Sequence, residues 1–149
     1  MQLEAAPWNI YCDGSAVPNP GRMGLGAVLM APDGTRHTLS SPAEGRGCNN
    51  EAELRALMAA LQHARQHGAS ELVVHCDNSV VVEQLLGTAL EPFLRLASLF
   101  DEVRAELRSF ASAQLVWIPR HRNREADALA RAAVGLMPKV PAPATRRRR

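Results

Sequence analysis

WNIYCDGSAVPNPGRMGLGAVLM, residues 8–30, sets the frame for the rest of the chain. Over residues 8–12 the side chains alternate. Trp8, Ile10 and Cys12 fall on one face and Asn9 and Tyr11 on the other, the period of a strand with one buried side. The strand runs straight into Asp13-Gly14-Ser15. Residues 16–23, with two prolines and a glycine, read as a loop, and residues 24–30 as a compact apolar strand. Pro32-Asp33-Gly34 is a turn, so residues 35–40 are predicted to return as the second arm of a hairpin.

Downstream the periodicity changes. Across residues 50–67, Leu54, Leu57, Met58, Leu61 and Ala64 recur at helical spacing, with Asn49 or Asn50 able to cap the start and Gly68 the end. ELVVHC, residues 71–76, is a second apolar strand, and it too leads into an acid, in Asp77-Asn78-Ser79. A short helix is predicted over 79–86. A longer one has Pro92 in its first turn and carries Phe93, Leu96, Phe100, Val103 and Leu107 on one stripe to about residue 110. A last strand over 115–118, a loop over 119–123 and a helix over 124–136 follow. Strand–helix–strand units add parallel strands by crossover, whereas the opening hairpin is antiparallel. The expected class is therefore α/β, a mixed sheet with helices on its faces. Residues 1–137 form the expected domain, and the Pro/Ala-rich, then poly-Arg, stretch 138–149 a disordered tail.

With 149 residues the chain suits a single domain, and 46% hydrophobic against 21% charged residues is a globular composition. No run approaches the roughly 20 apolar residues that span a bilayer, and the N-terminus has no basic-then-apolar leader. The expectations are a cytoplasmic, stand-alone, monomeric chain with no membrane partner and no small-molecule cofactor. Cys12, Cys48 and Cys76 are an odd set without regular spacing, which does not suggest a disulfide framework, and Cys12 and Cys76, inside apolar strand-like runs, read as buried thiols. The net charge of +2 rests on Arg146 to Arg149; without that run the rest of the chain stands at −2. A nucleic-acid partner would thus be held by local patches, metal ions and the tail.

Asp13 and Asp77 occupy equivalent places, each after an apolar strand, where ligands gather in open α/β sheets. On adjacent parallel strands these carboxylates would repel unless a cation lay between them. Glu53, beside buried Leu54, and Asp127, in the first turn of the last helix, can face the same sheet edge. Taken singly, each acid is an ordinary turn or helix-start residue. Together they are four oxygen donors without a supporting Cys or His cluster, a set suited to Mg²⁺ or Mn²⁺ rather than Zn²⁺. Two such ions a few ångströms apart activate a water and stabilise the leaving oxygen of a phosphodiester.

Four blocks, in this order, resemble the type 1 ribonuclease H family: YCDGSAVPNPGRMGLGAVL, CNNEAELRAL, VVHCDNSVVV and WIPRHRNREADALARAA, spanning residues 8 to about 134. The resemblance implies a ribonuclease H-like fold, a five-stranded mixed sheet flanked by α-helices. It implies endonucleolytic hydrolysis of the RNA strand of RNA–DNA hybrids, leaving 5′-phosphate and 3′-hydroxyl ends. It makes Asp13, Glu53, Asp77 and Asp127 the metal-binding acids. Asn19, Asn49 and Asn50, and with them Asn78 and Ser79, match positions that contact the hybrid, favouring RNA through its 2′-hydroxyls. His121, four residues after Trp117, matches a loop histidine that moves a proton or helps release product. Two departures stand out: the stretch from His121 to Asp127 is short, and LLGTALEPFLRLASLF has almost no basic charge where several relatives carry a Lys-rich insertion. Arg120, Arg122, Arg124 and the Arg tail are the expected substitutes. The competing readings are another nuclease on the same scaffold, a non-catalytic hybrid- or RNA-binding module, and a domain cut from a polyprotein.

Overall fold

Residues 6–136 are described by the computed structural model. The domain boundary expected at residue 137 and the tail over 138–149 lie outside the described residues. Strand β1, Trp8–Val17, pairs antiparallel with β2, Gly21–Met30, and β2 pairs antiparallel with β3, Arg36–Gly47. Helix α1, Asn49–Gln66, leads to β4, Glu71–Cys76, then to α2, Ser79–Leu86. A 3-10 turn at Leu94–Leu96 opens α3, Ala97–Arg108. Strand β5, Ser112–Trp117, a 3-10 turn at Arg120–Arg122 and α4, Arg124–Ala133, follow. Because β4 pairs parallel with both β1 and β5, the strand order is β3-β2-β1-β4-β5, the expected five-stranded mixed sheet.

Several boundaries differ from the sequence reading. The ladder between β1 and β2 continues to Val17 and Arg22, so most of the predicted loop over 16–23 is strand, and Asp13 lies within β1 rather than after it. Strand β3 runs past residue 40 to Gly47, because β2 supplies partners as far as Gly21. Pro92 precedes the helical segment instead of sitting in its first turn. The β4 ladder starts β5 at Ser112. Helix α4 ends at Ala133, where Gly135, at φ 81, turns the chain.

The capping of α1 also differs. Its N-cap is Cys48, without a side-chain cap bond. Asn49 is the first helical residue, and the side chain that accepts its N–H, at 3.0 Å, is Asn19 from the β1–β2 turn. Asn49 Oδ1 in turn accepts the N–H of Ala16, at 2.8 Å. These bonds pin the start of α1 to the far end of β1.

The two sheet faces use opposite residue types. Toward α1, β1 presents Trp8, Ile10 and Cys12, β2 presents Leu25, Ala27 and Leu29, and β4 presents Leu72, Val74 and Cys76; all are buried in one cluster with Leu54, Leu57 and Leu61 of the helix. Full burial of each large aliphatic chain contributes about 1.5–3 kcal/mol. Helices α2 and α3 pack beside α1, while α4 lies against β1, β2 and β3. On β2 the alternate residues are Gly24 and Gly26. A Cβ at Gly24 would collide with the carbonyl of Ala130, and one at Gly26 with that of Ala126. Two missing side chains let α4 lie directly on the sheet. That closeness places the site, because Gly26 is the register partner of Asp13 and Ala126 adjoins Asp127.

Candidate metal and nucleic-acid site

Strand β4 stops pairing with β1 at Cys76–Cys12, while β1 continues along β2 for five more residues. Just beyond this point the next residues are Asp13, within β1, and Asp77, after β4, where the parallel pairing of the two central strands ends and their chain connections leave in opposite directions. This is the crevice position of an open α/β sheet. Helix α1 brings Glu53 to it. A Cβ on Gly14 would strike the backbone of Ala52 and Glu53, so only glycine admits the helix so close. The N–H of Gly14 donates to Glu53 Oε1 at 2.5 Å.

One carboxylate oxygen from each of Asp13, Glu53 and Asp77 lies within 4.8 Å of the others. Asp13 and Glu53 are buried and Asp77 half-buried. Asp127, half-buried on α4, lies within hydrogen-bonding reach of Asp13 and lines the same cavity of about 430 Å³. Asn49, Asn78, Arg120, His121, Arg124 and Arg131 line it too. Burial, then the hydrogen bond and charge of Glu53, then the charge of Asp77, push the Asp13 carboxyl up to about 12. Burial also holds Glu53 well above the usual carboxylate range. So many crowded acids cannot all be charged without a counter-ion. Hard, closely spaced oxygen donors of this kind fit a divalent cation.

The sign of this conflict gives a stability prediction. A carboxyl whose folded pKa lies above its unfolded value of 3.8 stabilises the fold fully below that value and progressively less as pH rises toward the folded pKa. In EDTA, Asp13→Asn should therefore match the wild type in Tm near pH 4. It should exceed it by about 3–8 °C at pH 8, the shift that roughly 1–2 kcal/mol gives in a domain of this size. Saturating Mg²⁺ should shrink the gap. Differential scanning calorimetry checks this, and a Tm difference independent of pH would contradict it.

The other expected residues divide. Asn49 and Asn78 line the cavity; Asn19, Asn50 and Ser79 stand outside it. Asn78 Nδ2 donates to Asn50 Oδ1 at 2.7 Å, and Asn78 Oδ1 caps α2 by accepting the N–H of Val81 at 3.2 Å. The pair therefore joins the starts of α1 and α2. Ser79 is exposed at the first position of α2. His121 is exposed on the 3-10 turn and reaches the cavity wall. Of the expected arginines, Arg120 and Arg124 line the cavity, while Arg122 lines a separate hollow against Tyr11 and Val28. Cys12 and Cys76 are buried free thiols, as expected, and the Cys76 thiol, held protonated by Cys12 and by burial, points its Sγ at Glu53.

Two contributors escaped the sequence reading. Asn123 is buried, and its Nδ2 donates both to the carbonyl of Cys12, at 2.9 Å, and to Asp77 Oδ2, at 2.8 Å. It ties the last residue of β1 that pairs with β4 to the carboxylate just after β4. Arg131 lines the cavity one turn after Asp127, a spacing that puts both on one helix face and was readable in advance.

Residues 11–133 match the reverse transcriptase-like family. A bifunctional protein of Mycobacterium tuberculosis is 39% identical over 126 residues, which cover 84% of this chain and 35% of that protein. The ribonuclease HI of Halobacterium salinarum is 35% identical over 126 residues, 83% of this chain and 62% of that protein. This chain thus spans from about a third to under two thirds of the length of these relatives. Among solved structures, the RNase H1 of Halobacterium salinarum is 32% identical with a TM-score of 0.81, covering 87% of this chain and 98% of that one. An RNase H1 solved in complex with an RNA/DNA hybrid is 30% identical with a TM-score of 0.77, covering 85% of this chain and 96% of that one. By sequence and by fold, the chain belongs to the reverse transcriptase-like family, in its type 1 ribonuclease H branch.

Proposed function

We propose that this chain is an endoribonuclease that cuts the RNA strand of RNA–DNA hybrids with divalent metal ions, Mg²⁺ or, as a substitute, Mn²⁺. The observation that carries this reading is the trio Asp13, Glu53 and Asp77, its oxygens within 4.8 Å of one another in an open cavity. The crystallised relative bound to RNA/DNA hybrid supports the choice of substrate.

Asp13, Glu53, Asp77 and Asp127 would hold the metal. Divalent ions held there would supply activation of a water and charge neutralisation at the leaving 3′-oxygen, chemistry that gives 5′-phosphate and 3′-hydroxyl products. The protein's own groups do the positioning. Glu53 is fixed by the Gly14 N–H and Asp77 by Asn123, so neither carboxylate must be reoriented during the reaction. Asn49 spends its Oδ1 on Ala16, so what it offers a ligand is the Nδ2 donor, suited to a sugar hydroxyl. Asn19, Asn50 and Asn78 serve the hybrid by holding the starts of α1 and α2 in place, with Ser79 beside them. Arg120, Arg124 and Arg131 give the cavity a cationic wall for the phosphate backbone.

His121, exposed beside the acids, carries a proton to or from the reacting water or the product. His121→Ala should lower kcat about 10- to 100-fold, the lower part of the range for general acid–base groups, with little change in KM. Single-turnover and steady-state rates on a labelled hybrid check this, and an unchanged kcat would remove His121 from the reaction.

A substrate panel separates this function from others on the same scaffold. Strand-labelled hybrid, duplex DNA, duplex RNA and single strands should give RNA-strand cleavage in the hybrid alone. Cleavage of duplex DNA would point to another nuclease of this fold, and tight hybrid binding without cleavage to a binding module.

A further inference from the structure

The far end of α1 carries a second group of metal-ligating side chains, which the carboxylate site does not use. His63 lies in the last turn of the helix, His67 is its C-cap, and His37 reaches them from β3. One ligand nitrogen from each lies within 4.8 Å of the others. At about 1.5 Å per residue, His63 stands roughly 15 Å along the helix from Glu53, too far for an ion to be shared.

His37 Nδ1 and His63 Nε2 face each other at 3.2 Å. Tetrahedral coordination with metal–nitrogen bonds of about 2.0–2.1 Å has edges of about 3.3–3.4 Å, so the two rings already stand at that spacing. His67 Nδ1 lies 3.0 Å from the carbonyl of His63. A carbonyl only accepts, so Nδ1 carries the hydrogen and Nε2 is the nitrogen left to ligate. Backbone orientation of this kind is what ligating histidines have. Beneath them lies the buried ring of Trp8, 5.5 Å from His37 and 6.4 Å from His67 between centroids, which limits how the imidazoles can turn. His37 and His63 are half-buried and His67 is exposed, so the group opens to solvent on one side.

We propose that His37, His63 and His67 form a transition-metal site of three imidazole nitrogens and one solvent position, taking Zn²⁺, separate from the carboxylate centre. Nitrogen-only donors exclude Mg²⁺ and suit Zn²⁺, with Ni²⁺ and Cu²⁺ as competitors in vitro. The ion ties β3, an edge strand, to the end of α1 and stabilises the fold.

The test uses untagged full-length protein with saturating Mg²⁺ on the carboxylates. Zn²⁺ is titrated calorimetrically, and Co²⁺ by the visible absorption of its tetrahedral complex. The expected result is one ion per chain, in the micromolar range or tighter, with a raised Tm. Affinity should fall about tenfold or more in His37→Asn and His63→Gln, as expected for a lost ligand, and stay unchanged in Asp13→Asn. Circular dichroism establishes folding; His67→Gln, at the exposed helix end, replaces any variant that fails to fold. The absence of saturable binding, binding unchanged in every histidine variant, or binding lost only in Asp13→Asn would each overturn the proposal.

Discussion

Asp13→Asn should reduce cleavage of the hybrid's RNA strand by about 10³-fold or more, roughly 4 kcal/mol at 1.4 kcal/mol per decade, while the protein stays folded. Asp13 sits where β1 outruns β4, pressed against Glu53 and within the field of Asp77. Asparagine keeps the shape and removes the charge. The same substitution removes the burial and the repulsion of a charge that together raise the Asp13 carboxyl to about 12. One mutation should therefore abolish turnover and raise the heat stability of the metal-free protein, the trade expected where an active site carries strain. Asp77→Asn should lose activity to a similar degree. Its stability gain should be smaller, because Asp77 is more exposed and already accepts from Asn123. Rates near wild type in either folded variant would sink the carboxylate mechanism.

Asn123→Ala should lower kcat/KM by about 10- to 100-fold, the usual cost of removing a group that orients a metal ligand. Cys12 O and Asp77 Oδ2 are both acceptors, so the amide must turn its NH₂ between them. Losing those bonds leaves a buried carbonyl unpaired and frees Asp77 to rotate, at a stability cost of about 1–3 kcal/mol. Because Asn123 acts through Asp77, the effect should be partly offset by raising Mg²⁺, whereas Asp13→Asn should not respond. A rate-against-Mg²⁺ titration distinguishes them. A folded Asn123→Ala with the wild-type Mg²⁺ dependence would make the residue purely structural.

What was legible in the sequence, and what was not, follows from the range of each interaction. The acids could be read because each stands beside a local pattern, Asp13 and Asp77 after apolar strand runs and Glu53 and Asp127 near helix starts. The antiparallel hairpin and the parallel crossover strands followed from the same patterns, though the order of the strands across the sheet did not, and misplacing the end of β1 did not move Asp13 from the crevice. The asparagines could be found but not interpreted. Local rules make Asn49 a cap, yet the cap of its N–H is Asn19, thirty residues earlier. Asn123 reads as a loop residue until β1 and β4 are known to be adjacent. Gly24 and Gly26 read as part of an apolar strand, and only the packed helix α4 shows that their missing side chains bring Asp127 to the site. His37 joins His63 across 26 residues, which no local spacing reveals.

The most direct test of the central claim is the initial rate of RNA-strand cleavage in an end-labelled RNA–DNA hybrid, measured with purified protein across a Mg²⁺ titration and in EDTA. Internal cuts in the RNA alone, rising with Mg²⁺ and absent in EDTA, are the expected result. Undiminished cutting in EDTA, or no cutting by folded protein with either Mg²⁺ or Mn²⁺, would contradict it.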